Sequence, residues 1–202
     1  MTTEALFKFI LDLLNTSTAS VIIGGLITLF GVWLSAHFTK REAQRAEKES
    51  VKTFLQAIEV EFITLWNIYH EVAGKKIESV QEGHFFDGYF GAEQDYFIIY
   101  NKNSHFLGKI NDEELRKQIV ITYTKAKSII DSYTLNNQTL NQYLHMYLLF
   151  QQTEIKEYER NYKEYKNVLI KYAARLKEAH FDLKEEQKKL QIQIQAYLKN
   201  IE

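Results

Sequence analysis

The sequence predicts an all-α protein in which an N-terminal transmembrane helix continues into an antiparallel bundle or coiled coil of long helices, with a small, irregular, aromatic-rich insert. Three observations carry this. Pro is absent, and all eight Gly fall at 24–31 and 74–108, so 32–73 and 109–202 lack both of the strongest helix breakers. No residue between Asp12 and Lys40 carries a formal charge. Apolar residues then recur at steps of three and four through both breaker-free stretches, which is the helical period.

The chain divides in order into five parts. Residues 1–18 contain TEALFKFILDLLN, with Glu4, Lys8 and Asp12 at steps of four forming a polar stripe on an apolar helix, and Asn15 to Thr18 as a polar break. That pattern suits an amphipathic segment lying in a membrane interface. Residues 19–39 supply about 20 mostly apolar positions, enough to cross a hydrocarbon core of about 30 Å. A cleaved leader would begin with a basic region, whereas Glu4 and Asp12 here outnumber Lys8, so the span is expected to stay attached.

Beyond the span come Lys40, Arg41, Arg45, Lys48 and Lys52. Basic residues next to a span favour the cytoplasmic side, so the N-terminus is expected outside and the C-terminal domain inside a bacterial inner membrane. Ser20, Gly24, Thr28, Gly31 and Ser35 share one face of the span at steps of four and three, where a second helix can approach closely. The expected partner on that face is another copy of the chain.

Residues 40–73 read as a membrane-proximal helix with Val51, Leu55, Ile58, Phe62, Leu65 and Tyr69 on one face and Gly74 as its C-terminal cap. Residues 74–110 hold Phe85, Phe86, Tyr89, Phe90, Tyr96, Phe97, Tyr100 and Phe106. YFIIY at 96–100 reads as a short strand, NKNS at 101–104 as a turn, and Asn111 followed by DEEL as a helix start. The aromatics either cap the bundle as a satellite core or present a surface to a protein partner or ligand.

Residues 111–202 read as a helical hairpin. One seam is Ile119, Ala126, Tyr133, Leu140 and Tyr147, filled in by Tyr123, Ile130, Asn137 and Leu144. The second is Ile155, Tyr162, Leu169, Leu176, Leu183, Leu190 and Tyr197, with Tyr158, Tyr165, Tyr172 and Ala179 as companions until the face shifts near 185. QQTE at 151–154 is the expected turn. Asn137 on the seam either fixes register or marks a kink, and the charged tail from Lys184 to Asn200 reads as a solvated amphipathic helix.

Chemistry is harder to find. With 25 Lys+Arg against 26 Asp+Glu there is no basic field to attract nucleic acid, and the absence of Cys excludes disulfides and thiol chemistry. No phosphate loop, nucleophile elbow or paired-histidine helix is present. His84, Asp87, Asp95 and His105 offer metal-ligand types at spacings that fit no compact motif. No catalytic residue, metal or cofactor is therefore expected, and the chain is not expected to be an enzyme.

The run YFIIYNKNSHFLGKINDEELRKQIVITYTKAKSIIDSYTLNN resembles one in uncharacterised bacterial proteins that have an N-terminal membrane helix and a soluble helical domain; it covers about a fifth of the chain. The resemblance implies an inner-membrane setting and brings no activity and no functional residues. The expected function is a single-span scaffold whose cytoplasmic bundle oligomerises or holds partners. The alternatives are an effector, a defence or toxin component, whose span assembles to permeabilise the membrane, or a ligand sensor that uses the insert.

Overall fold

A computed structural model describes the backbone of residues 3–14, 17–91 and 96–201, and the side chains of 3–8, 21–91 and 96–201. Among them the regular structure is all helical: α1 (Thr3–Leu14), α2 (Ser17–Tyr69), a π-helical segment (His70–Gly74), α3 (Lys75–Ser79), α4 (Ile98–Asn103), a 3-10 segment (Ser104–Lys109), α5 (Glu113–Thr153) and α6 (Lys156–Ile201). Residues 1–49 and 50–202 form two units.

In the first unit, α2 carries the apolar run that is long enough to cross a membrane, and none of that run is buried by other parts of the protein. Val21, Leu26, Ile27, Leu29, Phe30, Val32 and Trp33 are each at least 60 % exposed. Thr28 satisfies its hydroxyl on the carbonyl of Gly24 (2.8 Å) and Thr39 on that of Ser35 (2.9 Å), so these side chains spend their polarity within the helix.

The second unit is built on the α5–α6 hairpin. Asp112 opens α5 by accepting the Leu115 amide at 2.9 Å, so the cap lies one residue after the expected Asn111. The hairpin turns at Glu154, within the expected QQTE. Lacking Gly or Asn there, the chain puts a glutamate in the left-handed region (φ 55, ψ 16) to end α5. The antiparallel pairing is visible in Gln118, which reaches Glu186 (2.7 Å), and in Lys125, one heptad later, which reaches back to Asp182 (3.5 Å).

Val51, Phe54, Leu55, Ile58, Phe62 and Tyr69 of α2 close the core with Ile119, Tyr123, Tyr133, Leu176, Leu183 and Leu190. Phe62 and Tyr123 meet edge to face with centroids 5.3 Å apart. On α6 the companion positions differ from the sequence expectation: Ala173, His180 and Ile194 are buried, while Tyr172 and Ala179 are only half-buried. The seam lies one residue later than the tyrosines suggest, because the large rings cover the edge of the interface and the smaller side chains enter it. On α5, Leu144 and Tyr147 are more exposed than the seam positions up to Leu140, yet the two expected seams still meet there, Tyr147 standing edge to face with Tyr162 at 5.4 Å.

Three expectations for the insert are corrected. Tyr96–Tyr100 is not a strand: Ile98 starts a helix, and Asn101–Ser104 continues it into the 3-10 segment instead of turning. The reason is Glu61, a buried acid of α2 whose carboxylate accepts the amides of Ile99 (2.6 Å) and Tyr100 (3.2 Å) and the Tyr123 hydroxyl (3.0 Å). A carboxylate at the N-terminus of α4 satisfies its free amides and its dipole. Nor does Gly74 cap a helix. Its φ is −58, and the helical path runs through it to Ser79.

Candidate functional site

The polar centre of the second unit lies where the π segment, α3 and α6 meet. His180 of α6 is fully buried; its Nδ1 lies 2.9 Å from the Tyr69 hydroxyl and its Nε2 2.8 Å from Glu78 Oε1. Lys184, one turn on, donates to the same carboxylate oxygen at 2.8 Å. His70 Nε2 lies 3.5 Å from Glu78 Oε1, yet this buried nitrogen makes no hydrogen bond. Trp66 stacks on both imidazoles, with centroids 5.9 Å from His70 and 5.5 Å from His180.

The π segment makes this convergence possible. In a regular α-helix, residues eight apart differ by about 80° around the axis, so His70 and Glu78 would diverge. The Lys75 amide bonds back to the His70 carbonyl, inserting one residue into the turn and bringing the two positions to within about 20°. Gly74 provides the clearance: a Cβ there would stand 2.9 Å from His70 Cδ2 and 3.1 Å from His180 Cε1.

Electrostatics settle the proton positions. Hydrogen bonds from Lys184 and His180 hold the Glu78 carboxyl down at about 2, so it is ionised and can only accept. Burial outweighs the Glu78 contact and depresses His180 below the usual imidazole range. A neutral His180 then carries its proton on Nε2 toward Glu78, leaving Nδ1 to accept from Tyr69. Burial raises Tyr69, and it pushes Tyr133, 3.4 Å from the Tyr69 hydroxyl, up to about 12, so both phenols stay protonated. One ligand atom from each of His70, Glu78 and His180 lies within 4.8 Å of the others, the donor set of a metal site.

Beside this cluster is an apolar cavity of about 260 Å³, with Trp66 and Tyr69 in its wall together with Phe62, Phe90, Tyr96 and Phe97. Of the eight insert aromatics, Phe86 and Phe97 are buried and Phe85, Phe90, Tyr100 and Phe106 half-buried, while Tyr89 and Tyr96 are exposed. Tyr100 stacks on Tyr123 at 4.0 Å, and Phe86 and Phe90 meet Tyr133 edge to face. Asn137 pins the insert to α5, donating to the Phe90 carbonyl (2.8 Å) and accepting its amide (3.4 Å).

The other singled-out residues lie apart from this centre. His84, Asp87 and His105 are exposed, and Asp95 lies outside the described residues. Gly24, Thr28, Gly31 and Ser35 all lie on α2, with open space around Gly24 and Gly31; Ser20 is on the same helix, its side chain outside the described set. Sequence reading missed the His70–Glu78–His180 cluster for two reasons. An eight-residue spacing converges only if a π turn intervenes, and His180 falls one position beyond the seam that the tyrosines marked. The step-of-seven series Ala173, His180, Gln187, Ile194 was the available signal.

No protein-family model, curated protein or solved structure matches the chain. The resemblance over Tyr96 to Asn137 therefore adds no activity to the geometry.

Proposed function

We propose that the chain is a single-span protein of the bacterial inner membrane, N-terminus outside, whose cytoplasmic helical bundle is a non-enzymatic scaffold holding partners at the membrane. The observation that carries this is the unburied apolar run of α2, where eleven large apolar side chains between Val21 and Phe38 are 37 % or more exposed. Leaving that surface in water costs on the order of 10–20 kcal/mol, which insertion into lipid recovers. The charges from Lys40 to Lys52 supply the inward orientation. The face bearing Ser20, Gly24, Thr28, Gly31 and Ser35 makes the homo-oligomer.

Three measurements test the reading. Reporter fusions after residue 202 should be active only in the cytoplasm, and a periplasmic signal contradicts the orientation. Gly24→Leu/Gly31→Leu should abolish crosslinked oligomers in membranes, whereas unchanged crosslinking removes the small-residue face from the account. Overproduction should leave the membrane potential intact, since a scaffold opens no pore, and depolarisation would favour an effector.

A further inference from the structure

We propose that His70, Glu78 and His180 form a binding site for a divalent transition-metal cation of the zinc class, a clasp joining the π segment and α3 to α6 with a fourth position open to water. Two imidazoles and one carboxylate are the borderline ligands that zinc and its neighbours prefer over magnesium or calcium. In a tetrahedral site with bonds near 2.1 Å, ligand atoms stand about 3.3–3.5 Å apart. His70 Nε2 and Glu78 Oε1 already stand 3.5 Å apart, and His180 Nε2 at 2.8 Å needs to open by only about half an ångström.

Independent features point the same way. The His70 nitrogen nearest the carboxylate is buried and makes no hydrogen bond, which a bound cation would remedy. His180 has the partner that metal-bound imidazoles require: with Nε2 on the cation, Nδ1 carries the proton and donates it to the Tyr69 hydroxyl at 2.9 Å, fixing the ring. Stacking on Trp66 holds both rings in place, at interplanar angles of 22° and 27°. Binding exchanges the Nε2–H tautomer of His180 for the Nδ1–H tautomer with no net proton released, and the Tyr69 hydroxyl turns its own proton toward Tyr133, 3.4 Å away. Lys184 is the group that opposes binding, since its ammonium shares Glu78 Oε1; a carboxylate has two oxygens, so lysine and cation can both be held, at a cost in affinity.

The test uses the whole chain in detergent micelles, stripped with chelator and then titrated with zinc chloride. One zinc per chain should bind, and a hundredfold excess over Kd should raise Tm by about 5–10 °C, while magnesium moves nothing. His70→Ala and Glu78→Gln should each weaken binding at least about a hundredfold, with His84→Ala as an unaffected control. Lys184→Met should tighten it about tenfold by removing the competing charge. Circular dichroism confirms that each variant is folded, and two ligand variants keep the test decisive should one of them unfold. Absence of bound zinc, or wild-type affinity in both His70→Ala and Glu78→Gln, overturns the site.

Discussion

Gly74 gives a prediction whose sign is opposite to the usual one. Replacing a helical glycine by alanine ordinarily stabilises a protein by about 1 kcal/mol, because glycine loses more backbone freedom on folding. At residue 74 the new Cβ would stand 2.9 Å from His70 Cδ2 and 3.1 Å from His180 Cε1. His180 is fully buried and held at both nitrogens by Tyr69 and Glu78, so it does not yield. Overpacking of this kind costs about 1–3 kcal/mol, which leaves Gly74→Ala destabilised by about 1 kcal/mol net. In a melt this lowers Tm by about 2–4 °C, and in urea it lowers the midpoint with the slope unchanged. Gly108→Ala, with open space around its Cβ, is the reference. Adding His70→Ala to Gly74→Ala should recover part of the loss, because two of the three close contacts belong to His70. If Gly74→Ala stabilises the protein as much as Gly108→Ala does, the packing argument for this centre is wrong.

Three further predictions rest on separate elements. Glu154→Gly relieves a left-handed glutamate at φ 55 and should gain about 0.5–1 kcal/mol in urea denaturation after the entropy cost of glycine; a loss would mean the turn is not strained. Glu61→Ala strands the amides of Ile99 and Tyr100 and the hydroxyl of Tyr123, and should cost about 2–4 kcal/mol, with Glu61→Gln milder; a change below about 0.5 kcal/mol would show that α4 does not depend on this cap. Glu186 titrates below the ordinary carboxylate range, mainly through its bond from Gln118 and then through Lys125, so its stabilisation is full above the unfolded-state pKa and disappears as pH falls through the lower folded value. Glu186→Gln should flatten the acid limb of the pH–stability curve, and an identical limb in wild type and variant would contradict the assignment.

The helices were legible because their cause is local: breaker-free stretches, an apolar period and a turn placed at QQTE. The α2 face from Val51 to Tyr69 could be read the same way, since each of its members depends only on spacing. What was not legible depended on contacts distant in sequence. YFIIY has strand composition, yet Glu61, 38 residues before Ile99, caps it into a helix. Gly74 looks like a stop signal, but its small size serves two imidazoles, one of them from α6. His70, Glu78 and His180 carry no motif, because a π turn sets the spacing of the first two and the third comes from another helix. The helix period singles out Asn137 on the seam, but its partner, the Phe90 backbone, belongs to the insert and cannot be read from that period.

Whether the apolar run of α2 is seated in lipid and tethers the bundle is decided by alkaline carbonate extraction followed by flotation of the intact chain and of a version lacking residues 1–49. The intact chain should stay with the floating membrane after extraction, and the shortened one should remain in the soluble fraction. Release of the intact chain into the same soluble fraction would contradict a seat in lipid.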